Sequence, residues 1–425
     1  MALFQETEAD VAPGLSGLIG APAAGPDAPP PHIYDEARDE DWSRLPHCRP
    51  LDHTMFDALD EYVAQKLPIA ALYQALIDNL PIEVHGIYPA HLPAMARRLG
   101  IADLVPVPFT PQRADKRLNF VRPVYFRGKR GKQQLLIVAV TPGREYLLHY
   151  GGLIRHFLYL HTSRAQEHVR IVRYPAAERL LADWTGLARF VQPADTVLVG
   201  YVDEIAALLE AGRVGDEGFE NAYYLSRRFR RPGGRDINLI GVKFSFWAGI
   251  AGRLAEAFCS AGAREILYCG KLGSLEAPAD VYERIFCPSR YFLMEHHRLV
   301  EEIDPPPNPL LERFPALDSG AHVTVPTVIE EDYLQRNAAA AIAAASIDNE
   351  IAHMAAAVAR HNRRAGQGTG FSALHFATDY VRRFDERNLC VTLNLSNNRT
   401  HVALEKKRRA IRHICRDFLE PYLDA

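Results

Sequence analysis

The stretch that most constrains the fold is residues 236–275, where a strand, a helix and a second strand follow one another. Ile237–Val242 is an apolar run of strand length. Gly249 then opens a segment whose apolar residues recur every three or four positions, which is typical of an amphipathic helix. Gly262 ends this helix, and Ile266–Cys269 has the composition of a second strand. This succession predicts a parallel βαβ unit.

The second strand is followed by the small-residue segment Gly270–Ser274, which we predict to be a turn. Ligands of parallel sheets bind at the carboxyl ends of the strands, and glycines there let backbone N–H groups approach a ligand closely. Glycine-rich turns after strands are also common where no ligand binds. On this segment alone, a ligand turn and an ordinary turn are both open.

The composition indicates a soluble globular protein. The chain has 425 residues, enough for two or three domains, with 48% hydrophobic and 24% charged residues. A net charge of −3 gives no reason to expect a nucleic acid partner, and no apolar run reaches the roughly 18 residues that a membrane span needs. The acidic N-terminus does not resemble a secretory signal. Six cysteines without CxxC spacing predict reduced thiols in a cytoplasmic protein.

The chain divides into three predicted parts. Residues 1–40 are rich in Ala, Pro and Gly and are expected to form a disordered tail. Residues 41–190 are expected to form an N-terminal α+β domain of unknown role, with a hairpin closed by the basic loop Arg127–Lys132. From about Val197, short apolar strands alternate with helices. We therefore predict an α/β domain over residues 191–425, with a central mixed sheet and helices on both faces.

Three histidines on the predicted helix Leu147–His161 are the first candidates for a metal site. His149, His156 and His161 are seven and five residues apart, and this does not give the i, i+4 spacing that zinc sites favour on a helix. We therefore interpret them as core or surface residues and expect no metal.

Polar or glycine residues stand at four predicted strand ends, namely Gly200–Glu204, Gly270–Ser274, Asp348–Glu350 and Thr378–Asp379. If the four strands are parallel in one sheet, these ends meet at one edge. Carboxylates in different surroundings can divide acid and base duties, because burial raises one pKa while hydrogen bonding lowers another. A structural interpretation is also open, with Glu350 at a helix N-terminus and Asp379 as a strand-end cap.

From about Asp195 to Leu423, the chain resembles the nucleoside phosphorylase and nucleosidase superfamily, of the purine nucleoside phosphorylase type. Val242–Ser274 resembles the family's strand–helix–strand with its small-residue ligand turn. Ile347–Val358 resembles its ribose-binding carboxylate motif, and Phe376–Asp379 resembles the strand that ends in its base-recognising aspartate. The resemblance implies a phosphorylase- or hydrolase-like fold and the cleavage of an N-glycosidic bond in a purine nucleoside or nucleotide.

The resemblance also implies roles for particular residues. Glu350 accepts hydrogen bonds from ribose hydroxyls, and Asp379 bonds to or protonates the leaving base, which is general acid catalysis. Asn349, between the acidic residues Asp348 and Glu350, lines the sugar. The attacking phosphate or water is bordered by Gly200, Gly270 and Lys271. Family sites are completed across a subunit interface, so a homo-oligomer is expected, with phosphate as a possible co-substrate and no other cofactor.

The sequence departs from the family where phosphate binds. Tyr268 stands in place of an arginine, Lys271 replaces a small hydroxyl residue, and the second family arginine, reached from a neighbouring subunit, falls near Tyr223. Because a phosphate nucleophile needs several charge-assisted donors, these changes favour hydrolysis over phosphorolysis. Lys271 could then bind a phosphate carried by the substrate.

Two acidic residues and one alternative function complete the sequence-based hypotheses. Asp203 or Glu204, just past Gly200, lies near the position where hydrolytic members carry a water-activating acid. The alternative is a nucleoside- or nucleotide-binding sensor or interaction protein that kept the fold and lost the chemistry. Tyr268 and Lys271 are the features that favour this alternative.

Overall fold

The computed structural model describes residues 31–41, 59–109, 118–162, 169–193, 196–209, 218–229, 236–366, 368–386 and 401–424. The described strands form two sheets. The predicted tail up to residue 30 lies outside the described residues.

The first sheet has six strands in the order β1-β6-β2-β5-β4-β3. Their bounds are β1 Arg38–Asp39, β2 Ile82–His85, β3 Ala102–Pro106, β4 Val124–Arg130, β5 Gln133–Ala139 and β6 Val169–Arg173. Strand β2 runs parallel to both β5 and β6, whereas β4 and β5 form the expected antiparallel hairpin. The predicted basic loop Arg127–Lys132 is shorter than expected, because β4 continues to Arg130 and leaves only a two-residue turn.

Helices cover both faces of the first sheet. They are α1 Leu59–Lys66, α2 Ile69–Ile77, α3 Leu92–Met95, α4 Arg144–His161, α5 Pro175–Arg179 and α6 Leu181–Thr185. One face packs against α1, α2 and α4, and the other packs against α3, α5 and a 3₁₀ turn at Pro31–Tyr34. The prediction that the disordered tail extends to residue 40 is therefore wrong for its last part, because Ile33 and Tyr34 are buried in this second core.

The second sheet contains eleven strands. Their bounds are β7 Thr196–Gly200, β8 Gly218–Glu220, β9 Tyr224–Phe229, β10 Ile237–Val242, β11 Glu265–Ser274, β12 Ile285–Phe286, β13 Arg290–Glu295, β14 Arg298–Ile303, β15 Ala321–Thr324, β16 Ala344–Asp348 and β17 Gly370–Tyr380. The main order is β14-β13-β15-β16-β11-β7-β10-β9-β8, with β17 beside β11 and β12. Parallel and antiparallel pairs both occur, so the expectation of one mixed sheet is confirmed.

Helices lie on both faces of the second sheet as well. They are α7 Val202–Leu209, α8 Gly249–Ser260, α9 Pro309–Arg313, α10 Tyr333–Ala341, α11 Ile351–Ala365, α12 His401–His413 and α13 Glu420–Leu423, with a π-helical stretch at Ile414–Leu419. Strand β7 shows the two-residue alternation of a strand buried on both sides. Val197 and Val199 join the core under α8 and α11, whereas Leu198 joins the core under α7 and α12.

The predicted βαβ unit is present, but its second strand is longer than expected. Strands β10 and β11 both run parallel to β7, which lies between them, and α8 makes the crossover. Gly270–Ser274 is not a turn, because it continues β11 and pairs with β17 along its length. The ladder shifts register between Leu272 and Gly273.

The four predicted strand ends are not all parallel. Strands β7, β11 and β17 run parallel, but β16 pairs antiparallel with β11 through Gly273 and Ser274. Because β11 extends to Ser274, the carboxyl end of β16 turns back toward the middle of β11. The end of β16 therefore still reaches the same place as the other strand ends.

Two further findings concern the described residues as a whole. No helix among them is long and apolar enough to cross a bilayer. Four cysteines, Cys259, Cys269, Cys287 and Cys415, are buried free thiols. Cys48 and Cys390 lie outside the described residues.

Candidate active site

A cavity of about 490 Å³ lies between the second sheet and the N-terminal region. Every residue that the sequence predicted for the site lines it, namely Gly200, Asp203, Glu204, Tyr268, Gly270, Lys271, Asp348, Asn349, Glu350 and Asp379. Pockets of this size commonly bind small molecules. The structure therefore brings the predicted residues together, although the antiparallel course of β16 was not foreseen.

Asp348 is held by hydrogen bonds within the protein. Its Oδ1 accepts from His322 Nε2 at 2.8 Å and from Thr324 Oγ1 at 2.6 Å, and its Oδ2 accepts from the backbone N–H of Ile351 at 2.9 Å. The His322 ring is fixed in turn by Ser346 Oγ at 2.8 Å. Burial alone would raise the pKa of Asp348, but His322 and these hydrogen bonds lower it below its usual value. Asp348 is thus an ionised carboxylate at the start of α11.

Glu350, two residues further on, is in the opposite state. Burial raises its pKa well above the usual range, and the charge of Asp348 raises it further against the opposing effect of Lys271. The two neighbouring carboxyl groups therefore have pKa values shifted in opposite directions, with that of Asp348 lowered and that of Glu350 raised.

Asp379 is a second carboxyl group of the cavity whose pKa is raised. Its side chain is only 8% exposed, and its Oδ1 accepts a hydrogen bond from Thr378 Oγ1 at 2.7 Å. Burial raises its pKa, although Lys271 and the bond from Thr378 oppose the increase. A methyl group at Gly273 would stand 2.8 Å from Asp379 Oδ2, so the bare glycine leaves space for this carboxyl group.

Lys271 is the cation common to these acids, and Glu331 is a cavity carboxyl that the sequence did not predict. Burial raises the pKa of Glu331 well above its usual value, with Asp379 and Asp348 adding to the increase and Lys271 opposing it. Glu331 belongs to the acidic run Glu330–Asp332 just before α10. That run was the available signal, but the sequence gave no reason to turn its middle residue toward β11.

Tyr268 occupies the place where the resemblance implies an arginine. Its ring lies edge-on to His375, with centroids 4.6 Å apart, and is tilted against Phe246 at 5.9 Å. Burial raises the pKa of the phenol well above its usual value, with the charge of Glu350 adding to the increase. Tyr268 therefore contributes a neutral hydroxyl group.

Gly270 lines the cavity directly above His375. A methyl group at Gly270 would stand 2.5 Å from His375 Nε2, so only glycine fits this position without movement of the ring. Burial lowers the pKa of His375 to about 3, which keeps the ring neutral. Neither ring nitrogen has a hydrogen-bond partner among the described residues.

The end of β7 forms the side of the cavity. Gly200 has a φ of +108°, and a methyl group there would stand 1.8 Å from the carbonyl oxygen of Cys269, so the position requires glycine. Asp203 lines the cavity. Glu204 Oε1 accepts from Lys407 Nζ at 2.7 Å, and this side chain is 39% exposed. Glu204 is therefore committed to an ion pair at the rim.

Asn349 joins the two walls of the cavity. Its side-chain Nδ2 donates to the carbonyl oxygen of Val325 at 2.8 Å, and its backbone carbonyl accepts from Ala248 N at 2.6 Å. Ala248 has a positive φ of 45°, which is an uncommon conformation for a residue with a Cβ atom. This bond places Trp247, one residue before Ala248, beside the carboxylate wall.

The opposite wall comes largely from the N-terminal region. The Trp247 ring lies edge-on to Tyr146 at 5.0 Å and to His149 at 4.8 Å. The Nδ1 atom of His149 is 2.6 Å from Thr327 Oγ1, and burial lowers the pKa of His149 well below its usual value. Lys66 and Arg122 line this wall as well. Sequence reasoning did not assign these residues to the site, because most of them belong to an N-terminal region without a recognisable motif.

Tyr223, the position loosely matched to an arginine from a neighbouring subunit, lies outside the cavity lining. It is 4% exposed, and its hydroxyl group is 2.9 Å from His91 Nε2. The N-terminal region of the same chain therefore covers this position. Among the described residues, no group of three or more His, Cys, Asp or Glu side chains has the arrangement of a metal site.

Comparison with known proteins gives a partial match in sequence. Oxidoreductase cns1 of Cordyceps militaris is 30% identical to this chain over 374 residues, which are 84% of this chain and 47% of that protein. The chain thus spans about half the length of the curated relative that it matches. No family model matches the chain.

Solved structures similar to this chain include several nucleosidases. A putative methylthioadenosine nucleosidase from Weissella paramesenteroides has a TM-score of 0.39 and 12% identity, covering 55% of this chain and 98% of its own. Helicobacter pylori MTAN has a TM-score of 0.38 and 13% identity, covering 54% of this chain and 99% of its own. The 5′-methylthioadenosine nucleosidase of Arabidopsis thaliana has a TM-score of 0.33 and 15% identity, covering 52% of this chain and 96% of its own.

Proposed function

We propose that this protein cleaves the N-glycosidic bond of a purine nucleoside or nucleotide by hydrolysis. The observation that carries the proposal is the pair of carboxyl groups with raised pKa, Asp379 and Glu350, that face one cavity around Lys271. Cleavage of the bond between a base and its sugar requires an acid that protonates the leaving base and a carboxyl group that hydrogen-bonds to the sugar.

In this proposal Asp379 is the general acid. A carboxyl group that keeps its proton near neutral pH can donate it to a ring nitrogen of the base while the C1′–N bond breaks. Asp379 then becomes a carboxylate, and Lys271 lies close enough to stabilise its new negative charge. A purine offers a basic ring nitrogen for this proton, which is why we favour it as the base.

Glu350 is proposed to bind the ribose hydroxyls, with Asp348 fixing its protonation. The ionised Asp348 carboxylate raises the pKa of Glu350, so the pair together carries one negative charge. Negative charge near the sugar stabilises an oxocarbenium-like transition state. Asp348 acts through Glu350, because its own oxygens already accept from protein donors.

Water is the proposed nucleophile. A phosphate nucleophile would need charge-assisted donors at the two positions matched to the family arginines, but Tyr268 supplies a neutral hydroxyl group and Tyr223 lies outside the cavity lining. The charge of Lys271 acts on Glu331, Glu350 and Asp379. Water adds to C1′ and gives its proton to a carboxylate, for which Asp203 and Glu204, both in the cavity lining, are our candidates.

The alternative is a sensor that binds a nucleoside or nucleotide without cleaving it. The oxidoreductase name of the curated relative belongs to a protein of which this chain spans about half, and we do not transfer it. The sensor and the enzyme share the binding residues and differ in base release.

The test is incubation of the protein with a panel of purine and pyrimidine nucleosides and nucleotides, with and without phosphate. Chromatography of the products should show free purine base and free sugar. Asp183→Asn, at an exposed position on α6, serves as a control that leaves activity unchanged. Binding without base release would support the sensor, and ribose 1-phosphate that increases with phosphate would overturn hydrolysis.

A further inference from the structure

Arg122 is a cation of the cavity that the proposed chemistry does not use. It is half-buried, and its Nη1 donates to Asn119 Oδ1 and to the carbonyl oxygen of Val121, both at 3.2 Å. Both acceptors are neutral, and no carboxylate within the described ranges forms an ion pair with it. A guanidinium group that lines a cavity in this state has donors available for an anionic ligand.

The contacts of Arg122 place it on the N-terminal wall. Asn119 Oδ1 accepts from Ser245 Oγ at 2.9 Å, and Ser245 Oγ lies 3.2 Å from the hydroxyl group of Tyr146. Tyr146 in turn contacts Trp247. Arg122 is not among the causes of the pKa shift of Asp379, whereas Lys271 is.

Lys66 adds positive charge to the same wall. Its Nζ stands 5.1 Å from the ring centroid of Tyr62, and the Tyr62 hydroxyl group is 3.3 Å from His149 Nε2. Burial lowers the pKa of His149, and the charge of Lys66 adds to this decrease. Burial raises the pKa of Tyr150, and the charge of Arg122 opposes this increase. The cavity thus has an acidic wall around Lys271 and a wall of neutral polar and aromatic groups that carries Arg122 and Lys66.

We infer that the N-terminal wall binds a phosphoryl group carried by the substrate, so that the substrate is a nucleotide rather than a nucleoside. This inference rests on the proposed N-glycosidic cleavage. Arginine binds a phosphoryl group through two parallel N–H donors, and a lysine adds a point charge. Lys271, which the sequence suggested for this role, already acts electrostatically on three carboxyl groups of the cavity, Glu331, Glu350 and Asp379.

The assignment gives the N-terminal region a role in selecting the substrate. In this assignment the sugar lies against Glu350 and the base against Asp379, and the phosphoryl group on the sugar occupies the part of the same cavity that Arg122 and Trp247 line. Asn349 holds Trp247 at this junction through its bond to Ala248. The same cation could bind free phosphate instead, so the experiment separates the two sources.

The experiment measures binding and turnover separately, with adenosine, adenosine 5′-monophosphate and orthophosphate as probes. Titration calorimetry on Asp379→Asn protein gives the dissociation constants without cleavage. Arg122→Met should weaken binding of the monophosphate by about 10- to 100-fold and leave adenosine unchanged, because one charged hydrogen-bond donor is lost. Arg127→Met, at an exposed position of β4, is the matched control and should change neither.

Each outcome has a distinct meaning. The inference would be overturned if Asp379→Asn protein bound adenosine and adenosine 5′-monophosphate equally well. It would also be overturned if the added Arg122→Met substitution weakened the binding of these two ligands equally. Orthophosphate that binds through Arg122 and accelerates base release from adenosine would assign the site to a co-substrate and also overturn it. Arg122-dependent binding of the monophosphate without base release would uphold the inference about the ligand and refute the proposed cleavage.

Discussion

Asp348→Asn tests whether this carboxylate stabilises the fold rather than binding substrate. The side chain accepts from His322, Thr324 and the backbone N–H of Ile351, and asparagine would turn an NH₂ group toward one of these donors. A hydrogen bond to a charged group contributes about 1.5–3 kcal/mol, and a negative charge at a helix N-terminus contributes about 0.3–1 kcal/mol. We therefore expect the free energy of unfolding to fall by roughly 3–5 kcal/mol.

Urea denaturation at pH 7, followed by circular dichroism, measures this change. Asp332→Asn is the control, since Asp332 caps α10 by accepting from Gln335 N at 2.8 Å and asparagine caps a helix equally well. The free energy of unfolding of Asp332→Asn should fall by about 1 kcal/mol or less.

The pH dependence gives a second, independent readout. Because the folded protein lowers the pKa of Asp348, its contribution is present above the unfolded pKa of about 3.9 and is lost as the pH falls through the lower folded value. The difference in the free energy of unfolding between the parent protein and Asp348→Asn should therefore become smaller at acidic pH. Equal stability at pH 7, or a difference that does not change in acid, would refute the reasoning.

Two other substitutions follow from the raised pKa values. Burial raises the pKa of Glu330 to about 7, so the folded protein loses stability as the pH rises from the unfolded pKa of about 4.3 through 7. In urea denaturation at pH 8, Glu330→Gln should therefore increase the free energy of unfolding by about 3 kcal/mol. An unchanged free energy of unfolding would contradict the raised pKa. Lys271→Met removes the charge that lowers the pKa of Asp379. The alkaline limb of kcat/KM should move to higher pH for nucleosides and nucleotides alike, and an unmoved limb would count against Asp379 as the acid.

Local patterns in the sequence were sufficient to predict several strands of the second sheet and the helix that links two of them. Strand β10 has the predicted bounds, and α8 begins at the predicted Gly249 and is followed by Gly262 with a φ of +89°. These features depend on short-range periodicity and on glycine, which the sequence displays directly. The turn predicted at Gly270–Ser274 failed because pairing with β17, a strand distant in sequence, outweighs the local preference of glycine for turns.

The acidic wall was predictable and the N-terminal wall was not. Asp348, Glu350 and Asp379 lie at or just past the ends of strands that a sheet brings together, so their positions in the sequence were informative. Glu331 and Arg122 reach the cavity only through tertiary contacts of a loop and of the N-terminal region. A single sequence contains no local signal for such contacts. The parallel course assumed for β16 failed for the same reason.

The measurement that tests the account most directly is base release by Asp379→Asn. Asparagine keeps the size of the side chain and can still accept from Thr378, but it has no acidic proton to donate to the base. With the best purine substrate of the panel at neutral pH, kcat should fall by about 10²- to 10⁴-fold, while substrate binding and the unfolding transition change little. Base release by Asp379→Asn at the rate of the parent protein would contradict the assignment of Asp379 as the general acid.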